Sequence, residues 1–158
     1  RSELGRGTEV RVRLPATDEV VVSPTSRRAA APSGSERIVL VEDEPLVRDL
    51  ALRVLRGLGY WVTAFGSGEE ALRTLDSGAL GTVDLLFTDV VMPEVGGREL
   101  AERFTDRSPS TKVLYTSGHT EDTVVHHGVR ENTMAFLPKP YSATALAEHV
   151  RRVLDGNR

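Results

Sequence analysis

The chain has 158 residues, 39% of them hydrophobic and 27% charged, the composition of one ordinary globular domain with some length to spare. It contains no cysteine, which excludes disulfides, thiolate metal sites and cysteine nucleophiles. The net charge of −3 is uneven: residues 1–35 carry 6 basic and 4 acidic side chains, residues 36–158 carry 14 and 19, and a main body near −5 argues against nucleic-acid binding as the chief function. No apolar run reaches the roughly 20 residues of a membrane helix and no signal peptide is visible, so a cytoplasmic setting is expected. The first residue is Arg1 rather than Met, and the chain is expected to be cut from something longer.

In residues 1–15, Gly5-Arg6-Gly7-Thr8 forms a small glycine turn, and Val10, Val12 and Leu14 then alternate with Arg11 and Arg13 up to Pro15. That alternation predicts one half-buried strand, which has no stability by itself. The run from Ser2 to Pro15 resembles the last glycine box and final strand of a histidine-kinase ATPase domain. The Asn box and earlier glycine boxes of that family are missing, so the remnant is not expected to bind ATP. Residues 16–35 are rich in Ala, Ser, Pro and Thr, are broken by Pro24, Pro32 and Gly34, and read as a flexible linker.

From Glu36 the pattern alternates strand with helix. Ile38-Val39-Leu40-Val41 ends in Glu42-Asp43-Glu44, and Pro45 suits the first turn of a helix carrying Leu46, Val47, Leu50, Ala51, Val54, Leu55 and Leu58. Trp61, Val62 and Phe65 predict a second strand, and Ser67 with Glu70 makes a capping box for a short helix. Leu85-Leu86-Phe87-Thr88 is a strand buried on both faces that ends at Asp89, before Pro93 and Gly96-Gly97 turn the chain into a helix with Leu100, Ala101 and Phe104. Lys112–Thr116 is a fourth strand ending in Ser117-Gly118, followed by a weaker helix over Thr120–Val129. Met134–Leu137 is a fifth, ending in Pro138-Lys139-Pro140, and Ser142 caps a last helix with Leu146, Val150, Val153 and Leu154. Five such repeats predict a doubly wound α/β domain: a five-stranded parallel sheet with helices on both faces.

All strands of a parallel sheet end along one edge, where open α/β sheets place their ligand chemistry. Glu42, Asp43, Asp89, Ser117 and Lys139 are therefore expected to converge. Three carboxylates repel one another, and a hard divalent cation, Mg²⁺ above all, relieves the repulsion. With 18 Arg and only two Lys in the chain, a lysine at position 139 is not the local habit. A compact ammonium reaches a single oxygen where a guanidinium fork is bulkier. Lys112, at a strand start, reads as an ordinary surface lysine. His119, His126, His127 and His149 suggest a metal site only weakly, since adjacent histidines on a helix point in different directions.

Val41-Glu42-Asp43-Glu44, Thr88-Asp89-Val90-Val91-Met92-Pro93, Tyr115-Thr116-Ser117-Gly118 and Leu137-Pro138-Lys139-Pro140 match, in order and spacing, the motifs of response-regulator receiver domains. Residues 36–155 resemble that family. The resemblance implies a flavodoxin-like strand order 2-1-3-4-5, with Asp89 accepting a phosphoryl group from phosphohistidine. It implies Mg²⁺ held by Asp43, Asp89 and the Val91 carbonyl, with Glu42 assisting through water. Lys139 would pair with Asp89 or a phosphate oxygen across a cis Lys139–Pro140 bond, and Ser117 and Phe136 would form the switch. The expected partner is a histidine-kinase phosphodonor domain or a histidine phosphotransfer protein, and a homodimer is compatible. With the kinase-like remnant, the whole reads as the receiver end of a hybrid sensor histidine kinase in a two-component phosphorelay: a phosphoacceptor, not itself a kinase. The alternatives are a phosphorylation-independent receiver-like binding module, a stand-alone response regulator, and a phosphatase using an aspartyl phosphate. The last wants a second carboxylate two residues past the nucleophile, where this chain has Val91. An apolar Val91 is expected to leave the attacking water unoriented and the phosphate long-lived.

Overall fold

The computed structural model describes residues 1–3, 5, 7–13, 33–118 and 135–156. Gly5, at φ 79°, turns the chain so that Ser2–Glu3 (β1) pairs antiparallel with Gly7–Thr8 (β2). The hairpin is closed by hydrogen bonds in both directions between Arg1 and Glu9, at 2.8 and 2.7 Å. The strand expected from Val10 onward is not formed over Val10–Arg13, and both valines are exposed. Alternation creates a face to bury, but among the described residues no second strand pairs with this backbone.

From Arg37 the alternation of strand and helix is realised. In order come Arg37–Val41 (β3), Pro45–Gly57 (α1), Trp61–Phe65 (β4), Gly68–Asp76 (α2), Leu85–Asp89 (β5), Gly97–Arg107 (α3), Lys112–Ser117 (β6), Ala135–Pro138 (β7) and Ala143–Leu154 (α4). The five strands from β3 onward form one sheet in the order β4-β3-β5-β6-β7, every neighbouring pair parallel. Numbered within the sheet, this is the expected 2-1-3-4-5 arrangement. The helix starts follow local chemistry: Pro45 opens α1, while Ser67 and Ser142 accept from the amides of Glu70 and Ala145 at 3.2 and 3.1 Å. The helix expected over Thr120–Val129 lies outside the described residues, as do His119, His126, His127, Met134, Leu14, Pro15 and linker residues 16–32.

Alternate strand residues feed two cores. Ile38, Leu40, Leu85, Phe87, Leu114 and Leu137 face α1 and α4, meeting Ala51, Leu55, Leu146 and Val150. On the other face Val39, Val41, Leu86 and Tyr115 meet Ala71 and Leu75 of α2 and Leu100 and Phe104 of α3. All of β5 is buried, as its unbroken apolar run requires. The apolar stripe of α1 is wider than its buried face, for Leu46 is 79% and Leu50 54% exposed. At roughly 100° per residue, Leu50 and Leu46 lie well round the helix from Ala51, at the centre of the buried side. Trp61, on the edge strand β4, is also exposed, at 71%.

Candidate functional site

The strand register sets the heights of the functional side chains. Val41 lies opposite Thr88, so Glu42, one residue on, stands beside Asp89. Asp89 lies opposite Thr116 and Ser117 opposite Pro138, which brings Ser117 and then Lys139 to the same edge. The Lys139 amide donates to the Ser117 carbonyl at 3.0 Å, carrying the ladder one step past β7. The Lys139–Pro140 peptide is cis, as the resemblance implied.

Glu42, Asp43, Asp89 and Lys139 come together in one cluster. Lys139 Nζ donates to both Glu42 oxygens, at 2.8 and 2.6 Å, and to Asp89 Oδ2 at 2.6 Å. Asp89 Oδ1 accepts from the Val91 amide at 3.0 Å. Glu42 is only 2% and Asp89 7% exposed, while Asp43 faces outward. One oxygen from each of the three carboxylates lies within 4.8 Å of the others. The expected pairing of Lys139 with Asp89 is thus accompanied by bonds from Lys139 to both oxygens of Glu42, for which the resemblance implies only assistance through water.

The electrostatics are unbalanced. Burial pushes the Glu42 carboxyl above the ordinary range and the Asp89 charge adds to the rise, so the pull of Lys139 does not compensate. Burial draws the Lys139 ammonium down, but its bonds to Asp89 and Glu42 outweigh this and hold it above its ordinary value. Three clustered carboxylates stand against one ammonium, which bonds to two of them, Glu42 and Asp89. Hard oxygen donors, surplus negative charge and one outward-facing ligand suit a divalent cation of the Mg²⁺ kind.

Around this cluster the remaining predicted residues take varied places. Ser117 is buried at the end of β6, and Phe136 is half-buried, opposite Tyr115 and against the core under α2 and α3. The Val91 side chain packs on that same core. His149 is hydrogen-bonded within its own helix, its Nδ1 2.8 Å from the Ala145 carbonyl.

Two residues that the sequence does not single out, Tyr141 and Arg48, adjoin the cluster, and Gly97 has a closer part than a helix start. A Cβ at Gly97 would collide with the Asp89 carbonyl, so only glycine lets α3 begin this close to the cluster. Tyr141 stacks at a tilt on Phe87, ring centroids 6.2 Å apart, and burial, with the charges of Glu42 and Asp89, drives its phenol strongly upward. Arg48 donates from Nη1 to the carbonyls of Glu42, at 2.7 Å, and Asp43, at 3.3 Å. Gly97 carried a signal in its place just past the strand end, whereas one arginine among 18 carried none.

A doubly wound parallel domain with acids on two adjacent strand ends and a lysine after the last strand is the arrangement expected of a receiver domain, and residues 38–151 match the response regulator receiver domain family. The chain belongs to that family. Among its relatives is the sensor kinase CckA of Brucella abortus (strain 2308), 36% identical over 163 residues, which cover 98% of this chain and 17% of that protein. The response regulator receiver protein CpdR of the same organism is 31% identical over 119 residues, covering 75% of this chain and 97% of CpdR. The crystal structure of the receiver domain of the hybrid histidine kinase CckA superposes with a TM-score of 0.61 at 39% identity, over 75% of this chain and 98% of that one. The chain thus spans under a fifth of the CckA kinase and nearly all of CpdR.

Proposed function

We propose that this domain is the phosphoacceptor of a hybrid sensor histidine kinase and that Asp89 is the residue phosphorylated. The observation that carries the reading is the shared ammonium: Lys139 bridges Asp89 and Glu42 at 2.6–2.8 Å in a cluster with more negative charge than it can neutralise. The Asp89 carboxylate attacks the phosphorus of a phosphohistidine, the P–N bond breaks, and the imidazole leaves. Negative charge on the three equatorial oxygens must be met by positioned cations and donors. Lys139 exchanges a carboxylate for a phosphate oxygen, and Ser117 donates to the new phosphate. Asp43, Asp89 and the Val91 carbonyl would hold Mg²⁺, with Glu42 assisting through a water, and the ion would supply further positive charge. Drawing Ser117 inward leaves room for Phe136 to rotate, which biases the neighbouring surface between two states.

The hybrid-kinase context is supported by the CckA alignment, which runs over nearly the whole chain, including the residues before the receiver domain. A histidine-bearing helical partner suits Leu46 and Leu50, which expose apolar surface on α1 close to Glu42. Val91 turns its side chain to the core, so nothing polar at that position orients a hydrolytic water. V91N is expected to shorten the lifetime of the phosphorylated form severalfold, and an unchanged decay rate would remove Val91 from the account.

The decisive measurement is labelling by acetyl phosphate with Mg²⁺, comparing wild type with D89A. One stable phosphate per chain, absent in D89A, is expected. No label on wild type would make this a phosphorylation-independent binding module, and many turnovers would make it a phosphatase.

A further inference from the structure

Asp43 is the most exposed of the three clustered acids, and no hydrogen bond holds its carboxylate among the described contacts, so its aim depends on its backbone. That backbone is held from below. Arg48, one turn into α1, places Nη1 2.7 Å from the Glu42 carbonyl and 3.3 Å from that of Asp43. The guanidinium lies against Gly66, the residue after β4, at contact distance: a Cβ there would stand 3.4 Å from Nη1 and 3.7 Å from Cζ. The Glu42 amide is tied on its other side to the Phe65 carbonyl at 3.2 Å. Arg48 forms no ion pair among the described residues, so its donors serve peptide oxygens rather than a carboxylate.

We infer that Arg48 is a positioning residue for the cation site, an assignment that rests on the reading of Asp43 and Asp89 as its acidic ligands with Glu42 beside them. One guanidinium nitrogen clamps two consecutive peptide groups and so fixes the directions in which two consecutive acids leave the backbone. Mg²⁺ demands near-ideal octahedral geometry at about 2.0–2.1 Å, whereas Ca²⁺ accepts more ligands over a wider range of distances. Productive ligand sets must be held to within roughly 0.5 Å and 10–20°. Releasing the two carbonyls lets the Glu42–Asp43 turn rock by more than that tolerance. Mg²⁺ affinity then falls further than Ca²⁺ affinity, a selectivity shift that general loosening of the fold does not produce.

The test is calorimetric titration of the whole chain with Mg²⁺ and, separately, Ca²⁺, in wild type, R48M and R48K, with thermal midpoints measured without divalent ions. Expected is a roughly tenfold loss of Mg²⁺ affinity in R48M, in the range seen when outer hydrogen-bond partners of metal ligands are removed. The Ca²⁺ loss should be smaller, and R48K, which reaches one carbonyl, should fall between. Equal affinities in R48M and wild type, or equal fold-losses for the two ions, would overturn the role of Arg48. If R48M does not fold, R48Q replaces it under the same criteria. A wild type that binds neither ion would instead bring down the cation reading on which the role depends.

Discussion

The two edges of the sheet use the same kinds of charged group to opposite ends. At the C-terminal edge Lys139 meets Glu42 and Asp89 at 2.6 Å each, with Asp43 close by, and the charges do not balance. At the N-terminal edge Arg151 meets Glu36 at 2.8 Å and Asp155 at 2.9 Å, and Lys112 Nζ donates to the Leu154 carbonyl at 2.6 Å, at the end of α4. There cations sit where the helix dipole wants them, and the Glu36 and Asp155 side chains stay 29% and 49% exposed. The difference separates a site from a fastening: surplus buried charge awaits a ligand, whereas matched charge at a helix end holds the fold together.

The contrast breaks first at Lys139. K139A leaves two neighbouring buried carboxylates without a cation and is expected to cost about 3 kcal/mol in metal-free protein. Added Mg²⁺ should recover much of the lost thermal stability, and a midpoint equal to wild type in EDTA would refute the imbalance. K112M removes a charge-assisted bond and should cost about 1.5 kcal/mol in chemical denaturation, with no sensitivity to Mg²⁺.

The two glutamates should then respond with opposite signs. Because the Glu42 carboxyl is raised, its ionised form costs the folded state stability at pH values above its folded value. E42Q is therefore expected to stabilise the metal-free protein at pH 7 by on the order of 1 kcal/mol, a gain that fades as pH falls through the Glu42 titration. Burial acts to raise Glu36 as well, but hydrogen bonding and charge from Arg151 hold it below its ordinary 4.5. Its stabilisation is present above 4.5 and is lost as pH falls through the lower folded value. E36Q should thus destabilise by about 0.5 kcal/mol at neutral pH and by nothing in strong acid, as followed by thermal melts across pH. Melts in which both substitutions shift stability the same way would erase the distinction between the edges.

Periodicity and turn chemistry carry nearly all of the fold among the described residues from Arg37 onward, because each strand and helix described there is locally consistent with the place it takes. The apolar run into Asp89 demands a strand covered on both faces, and Pro45, Ser67 and Ser142 mark the helix starts they occupy. The convergence of Glu42, Asp43, Asp89 and Lys139, with Ser117 on the same edge, also followed, since parallel strands must end on one edge. Local pattern misled where burial depends on neighbours. Val10 and Val12 alternate without a sheet to join, and Leu46 and Leu50 are spaced like a core yet face outward.

Only the tertiary structure decided how charge is shared within the cluster. That one ammonium chelates Glu42 while touching Asp89, and that Arg48 grips the backbone beneath both neighbouring acids, are matters of fractions of an ångström between residues up to 97 positions apart. Strand order and side-chain alternation are discrete, so a linear pattern can encode them. Hydrogen-bond distances and fractional burial vary continuously with the packing of every element around them, and no spacing along the chain specifies them.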